Sequence, residues 1–459
     1  MRSTLEISRA AFLWLTVVLA APACSDGARP SGTVEIMHWW NRGGEAQAIS
    51  ALLAEVRRQV SEVAIVDGSV DGGSVEARAA IANRMSRGIP PDTFQANGGW
   101  GLMTWVLYNG ADARLSKMDQ IDDVAADWMG RVPDNVLASV SYGLTPDQTH
   151  VYGVPLNIHR LNTLFYNKAL FEEIDIHPEE DLTDLAGMFT VAEKIKQFSQ
   201  LTGRKIAPIA LGYGEKQTWS LALVFFENLL VGRENLAAGR QKGDLYQQLF
   251  MAPKKLDAFS SDVAYALDDF RKLISYANED AKEVVWDKAM DRVLKGEAAM
   301  TIMGDWAKGY ANAAGYHSDA FGFIPMPATA GTFVFTTDTF GLPTGASEET
   351  RKVLNVFGST QGQKIFNELK GSISARLDVQ IADDDDRRPT YDDFVAAGAA
   401  GKVIPATSIL AQQAYVDAIS AALANYADKY PNGVVSDVLH TLDNYADLLL
   451  SSCWPACQK

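Results

Sequence analysis

Positive charge is in short supply: 41 Lys and Arg face 57 Asp and Glu, a net charge of -16 over 459 residues. Such a field repels phosphate backbones and anionic membrane surfaces, so nucleic acid is not an expected partner. Cysteine is scarcer still, with Cys24, Cys453 and Cys457 alone, which excludes a small disulfide scaffold. The histidines, at positions 38, 150, 159, 177, 317 and 440, form neither an HExxH motif nor a Cys-His cluster, so a metal site is not indicated. The chain also lacks a GxSxG elbow, a P-loop and a GxGxxG set between a strand and a helix. Acyl transfer, phosphoryl transfer and dinucleotide chemistry are therefore without their sequence parts, and no cofactor is expected. A glycosidase needs only two carboxylates, so a secreted glycan-active enzyme stands as the alternative to a non-catalytic protein.

Long apolar runs are missing except at the N-terminus, where Arg2 and Arg9 precede Ala10 to Ala20 and then Ala21-Pro22-Ala23-Cys24. The run is short for a membrane span and has the charge order of a secretory signal peptide, expected over 1–23. Residues 24–32 are small and polar and read as a tether. Cys24 stands where a bacterial lipoprotein carries its acylated cysteine, whereas Pro22 is unusual there and leaves plain cleavage after Ala23 as the other reading. Removal of the leader leaves 39 basic and 56 acidic residues, a net charge of -17. In an exported protein Cys453 and Cys457 are close enough in sequence to form a small terminal disulfide.

What is present is a large core's worth of apolar residues, 47% of the chain, with 10% aromatic. A single core stops growing near ~250 to 300 residues, so the length predicts more than one domain and two lobes by default. Thr33 to Trp40, Val63 to Asp67 and Asp92 to Gln95 read as strands, separated by helices over Glu45 to Val60 and Ser74 to Arg87. Strands alternating with helices indicate βαβ units and a mostly parallel sheet. Further strands are expected at Ala207 to Leu211, Ala298 to Gly304, Phe321 to Pro325 and Phe333 to Phe340. Helices are expected at Thr218 to Leu230, Ser347 to Ser359, Gln361 to Leu369, Ile409 to Lys429 and Val434 to Leu450. The acidic run Asp383 to Asp386 lacks the alternation and glycine of a calcium loop and reads as a solvated surface loop.

The chemistry-bearing residues gather at strand ends. His38-Trp39-Trp40-Asn41-Arg42-Gly43-Gly44-Glu45 sets two indoles at the end of the first strand, a glycine turn, and an acid in the first turn of a helix. In an open α/β sheet, ligands bind beyond the strand C-termini. Indole faces suit the C–H faces of a sugar ring, and carboxylates and amides suit its hydroxyls. Strand alternation sends one of the two tryptophans inward, so core packing is the competing role for one of them. Gln95 and Asn97 bring two amides to the same end of the third strand. Trp219 reads as core of an apolar helix rather than as part of a ligand wall.

Five ordered blocks resemble the extracellular solute-binding proteins of carbohydrate ABC importers, and within them the glucose/mannose-binding branch. They are HWWNRGGEAQA at 38 to 48, YGVPLNIHRLNTLFYNKALF at 152 to 171, VWDKAMDRVLKGEAAMTIMGDWAKG at 285 to 309, TDTFGLP at 337 to 343 and GQKIFNELKGSISARLD at 362 to 378. The resemblance implies a two-lobed α/β periplasmic-binding-protein fold of the maltose-binding type, with a sugar held in the cleft. It implies crossings near Pro155 to Asn162, Ala299 to Gly304 and Phe340 to Gly345. The expected lobes are 33–155 with 302–340, and 156–301 with 341–459. Carried over position by position, the ligand contacts are Trp39, Trp40, Glu45, Gln95, Asn97, His159, Trp286, Trp306, Asp338 and Lys370. His159 has a competing reading as a buried, backbone-satisfied histidine, Trp306 as packing at a helix start, and Lys370 as complement to a helix dipole. Two departures stand out: Gln412 falls where the family often has histidine, and Ser374 replaces a proline. The partners implied are a monosaccharide and the permease subunits of an importer, with the protein a monomer in the periplasm or cell envelope; a sugar sensor that docks a chemoreceptor with the same cleft is the other reading.

Overall fold

The computed structural model describes residues 32–106, 117–143, 148–212, 221–236, 260–327 and 329–444. The leader, Cys24, Trp219 and the Cys453 to Cys457 tail lie outside them.

In chain order, the elements that place the site begin with β1 (Thr33–His38), α1 (Gly43–Gln59), β2 (Ala64–Ser69), α2 (Ser74–Ser86), β3 (Thr93–Asn97) and α3 (Trp100–Val106). Next come β4 (Gly153–Pro155), β5 (Asn157–Arg160), β6 (Thr163–Asn167), α4 (Leu185–Thr202), β7 (Ala207–Ile209) and α5 (Leu221–Leu236). They continue with α6 (Trp286–Leu294), β8 (Ala298–Met303), α7 (Trp306–Ala313), β9 (Phe321–Pro325), β10 (Phe333–Thr336) and β11 (Asp338–Gly341). The rest are α8 (Glu348–Gly358), α9 (Thr360–Lys370), β12 (Ile373–Ser374), α10 (Arg388–Ala399), β13 (Val403–Pro405), α11 (Thr407–Leu410) and α12 (Gln413–Asp428).

Helix boundaries follow from capping. Asp184 and Ser347 accept from backbone N–H groups of the first turns of α4 and α8. Ser359 ends α8 and, through its hydroxyl, caps α9, which then stops at Gly371 in the left-handed region (φ 80°).

Three main sheets result, ordered β2-β1-β3-β11-β4, β9-β6-β8-β7 and β12-β5-β10-β13. The first packs a core of Val34, Ile36, Leu52, Phe94, Phe340 and Phe366. The second packs Leu164, Phe165, Met188, Ile209, Phe225 and Met300. β8 is buried along its whole length, which is why its sequence is an unbroken apolar run apart from Thr301, whose hydroxyl donates to the Ala210 carbonyl. The third sheet joins the two: β5 continues directly from β4 of the first unit and leads into β6 of the second.

The sheets and cores divide the chain differently from the expected lobes of 33–155 with 302–340 and 156–301 with 341–459. β9 pairs with β6, and Trp306 and Ala307 of α7 lie in the second core, so most of 302–340 belongs to the second unit. Conversely Val353, Phe357 and Phe366 lie in the first core, so 341 to about 375 belongs to the first unit. The Ala299 to Gly304 segment is an interior strand of the second sheet rather than a crossing. Phe333 to Phe340, expected as one strand, breaks at Thr337: β10 pairs with β5 in the joining sheet and β11 with β3 in the first. Its apolar pattern is continuous, while its pairing partners change, and only the latter decides the unit. The helix expected over Ile409 to Lys429 likewise divides into α11 and α12.

In the acidic run Asp383 and Asp384 are exposed, as in a surface loop, while Asp385 and Asp386 are half-buried. Asp385 pairs with Arg387, Asp383 and Asp392 pair with Arg388, and Asp386 accepts from Asn312.

Candidate functional site

The site begins where β1 ends. His38 Nε2 is 2.9 Å from Asp67 Oδ1, and its Nδ1 accepts from the Trp40 backbone N–H at 3.2 Å. The chain turns there, sending Trp40 into the first core against Phe340 and Phe366, with ring centroids 5.8 and 4.8 Å away. Trp39 stays half-buried at the cleft. The glycines that follow are needed: Gly43 has φ 49°, and a Cβ on Gly44 would meet the Gly309 carbonyl oxygen at 2.4 Å. This close approach of α1 to α7 positions Glu45 beside Lys370 at the end of α9, with Oε1 2.5 Å from Nζ.

The floor of the cleft is built on Asp338, the first residue of β11, which lies opposite Asn97 in antiparallel register. Gln95 Nε2 donates to its Oδ1 at 3.1 Å, and Asn157 Nδ2 to its Oδ2 at 2.9 Å. His159 sits 3.3 Å from Asp338 Oδ2 through Nε2, and 2.5 Å from Asp305 Oδ1 through Nδ1. Burial works against a charged His159, but the two carboxylates outweigh it and raise its pKa above the ordinary histidine value. Burial likewise opposes ionisation of Asp338, yet His159, Lys370 and Asn157 hold its pKa below the usual carboxylate range. The imidazolium and carboxylate thus stabilise each other's charge in a dry site.

Aromatic walls rise from this floor. Trp286, opening α6, and Trp306, opening α7, meet edge to face at 6.3 Å and 90°. Trp306 also contacts His159 edge to face at 5.0 Å. Lys370 Nζ lies 5.5 Å from the Trp40 ring and 5.6 Å from the Trp306 ring, so one ammonium faces indoles of both units. Arg42 of the first unit stands 3.8 Å from Asp287 of the second across the rim.

These residues enclose a cavity of about 360 Å³, within the size range of small-molecule sites. Nine sequence-predicted residues line it: Trp39, Trp40, Glu45, Asn97, His159, Trp286, Trp306, Asp338 and Lys370. Gln95 does not; fully buried, it accepts from the Trp39 backbone N–H and donates to Asp338, which makes it a positioning residue. Gln412 is outside the lining as well. Sequence reasoning missed Arg42, Asp287 and Thr336 as lining residues. Thr336 Oγ1 is buried without a hydrogen-bond partner among the described residues, and in Phe-Val-Phe-Thr it reads as ordinary strand core. Arg42 and Asp287 adjoin tryptophans that were singled out, so the signal lay in the motifs themselves. Mixed polar groups in fixed hydrogen bonds, with aromatic faces beside them, equip the cavity to hold a polyhydroxylated ring. No group of His, Cys, Asp and Glu among the described residues forms a metal cluster.

The chain is similar to known proteins in sequence and in fold. An uncharacterized ABC transporter extracellular-binding protein of Pyrococcus horikoshii is 32% identical over 379 residues, covering 79% of this chain and 78% of that protein. A probable sugar-binding periplasmic protein of Rhizobium meliloti is 26% identical, covering 82% and 83% respectively. Among solved structures, the maltose-bound T. maritima MalE3 protein superimposes with a TM-score of 0.69 at 15% identity, over 91% of this chain and 99% of that one, and shares the two-lobed α/β fold. The bacterial extracellular solute-binding protein family model matches residues 69–389, and the chain belongs to that family: it is a solute-binding protein and not an enzyme.

Proposed function

We propose that the protein captures a monosaccharide, glucose or a close epimer, in the cleft between its two units and delivers it to the permease of an ABC importer. The observation that carries this reading is the cavity itself, in which indoles of both units flank the hydrogen-bonded Asp338–His159 floor. Trp39, Trp286 and Trp306 supply stacking and apolar contact. Asn97, His159, Asp338, Glu45 and Lys370 fix hydroxyl geometry, because a site whose polar groups expect particular hydroxyls rejects analogues lacking them. A ligand touching both units favours the closed state only through that differential contact. The names of the Rhizobium and Pyrococcus relatives support a sugar ligand and an importer partner. The leader over 1–23 exports the chain, Cys24 anchors it through a lipid, and it acts as a monomer.

Calorimetric titration of the mature protein with glucose, mannose, galactose, xylose and maltose tests the proposal. Saturable binding that is tightest for glucose or an epimer, with the sugar recovered unchanged, supports it. Absence of binding to every hexose tested defeats it.

A further inference from the structure

Beside the main cleft lies a smaller chamber of about 70 Å³, lined by Arg78, Asn97, Trp100, Thr104, Ser408 and Gln413 among others. Asn97 lines both cavities, so the two lie side by side at the amide end of β3. Its walls come from opposite units: α2 and α3 on one side, α11 and the start of α12 on the other.

Two of its polar groups are unmet. Ser408 Oγ is buried and has no hydrogen-bond partner among the described residues. Arg78, largely enclosed, makes no hydrogen bond or ion pair among the described residues. In this chain that is anomalous, because the other enclosed guanidiniums each hold a carboxylate: Arg160 with Asp393, Arg376 with Asp127 and Asp378, Arg387 with Asp385. Burial lowers the Arg78 pKa to about 10, with Asp417 and Glu76 opposing that shift, so the group is a cation at neutral pH. Both acids are exposed and therefore screened by water, and Asp417 Oδ1 already accepts from Gln413 Nε2 at 2.6 Å. A half-buried guanidinium and a buried hydroxyl, both donors, define a place for a small acceptor. The chamber is too small for a second sugar ring and suits a substituent on a ring held in the main cleft.

We propose that the chamber receives the carboxylate of a hexuronate, the proposed hexose ring carrying an acid at C6, with Arg78 and Ser408 as its donors. Arg is the side chain whose paired N–H groups match a carboxylate in a bidentate geometry. The inference rests on the sugar-binding reading above and refines its ligand class.

The test is titration of the mature full-length protein with glucose and glucuronate, in the wild type and in Arg78→Gln and Ser408→Ala. Glucuronate is expected to bind at least tenfold more tightly than glucose in the wild type. Arg78→Gln is expected to collapse that ratio toward one, and Ser408→Ala to reduce it severalfold without dependence on how well Arg78→Gln folds. Glucose binding as well as or better than glucuronate overturns this inference and leaves the sugar reading standing. Equal losses for both sugars in Arg78→Gln also overturn it, by making Arg78 a contact between units rather than an acid receptor. Failure of both sugars to bind the wild type overturns this inference, and the sugar reading falls with it only when mannose and galactose fail to bind as well.

Discussion

Two buried carboxylates sit in the two units under opposite regimes. Asp338, in the cleft floor, accepts from two side-chain amides and faces His159 and Lys370, and it is held ionised. Glu227, inside the second unit on α5, accepts from Thr407, whose backbone N–H lies 2.9 Å away, while its Oε2 has no partner among the described residues. Desolvation therefore pushes Glu227 up to about 7, whereas the same desolvation at Asp338 is overcome. Burial alone neutralises an acid, and cationic neighbours reverse the outcome. The cleft can present a fixed negative charge to a ligand because its counter-charges are built into the fold, one on the joining sheet and one at the end of α9.

The sharpest way to break the contrast is Asp338→Ala, which strands His159 and the Gln95 and Asn157 amides in a dry site. Removing one partner of a buried pair costs about 3–5 kcal/mol, so the urea midpoint should fall accordingly and sugar binding should vanish. An unchanged midpoint would show that the floor is not held by this charge pair.

The converse change, Glu227→Gln, should stabilise. A folded pKa raised from 4.5 to about 7 means that the acid's contribution is complete below the unfolded value, declines as pH rises, and is lost above about 7. Glutamine does not ionise, so the variant's advantage should grow between pH 4.5 and 7 and level off near 3 kcal/mol, taking ~1.36 kcal/mol per pKa unit. Parallel stability curves for variant and wild type across that window would remove the distinction drawn between the two acids.

The smallest effect on stability separates the paired tryptophans. Trp39→Ala should lower sugar affinity at least tenfold, about 1.4 kcal/mol, with little change in unfolding midpoint. Trp40→Ala should instead destabilise the first unit, because Trp40 is 1% exposed and packs on Phe340 and Phe366. Retained affinity in Trp39→Ala would assign ligand stacking to Trp286 and Trp306 alone.

Much of the site was legible because its residues stand at element ends, where sequence signals are strong. The glycine turn after Trp39 and Trp40 and the Lys-Gly stop of α9 both mark chain reversals. What pairs across the fold was not legible. Gln95 reads as an amide at a strand end like Asn97, yet the register of β11 against β3 turns Gln95 into a buried brace and leaves Asn97 at the cleft. Arg78 on α2 takes its surroundings from α11 and α12 of the other unit, a juxtaposition that no local sequence pattern reports.

The alternation of short strands and helices, the absence of catalytic and metal motifs, and the tryptophans at strand ends were determined by the sequence alone, since each depends on neighbours a few residues apart. Which strands share a sheet, where the chain crosses between units, and which polar groups end up with or without a partner were decided only by tertiary structure. Hydrophobic periodicity reports that a strand is buried but not against what, and a charge finds its partner far along the chain, as Glu45 and Lys370 illustrate by meeting across 325 positions.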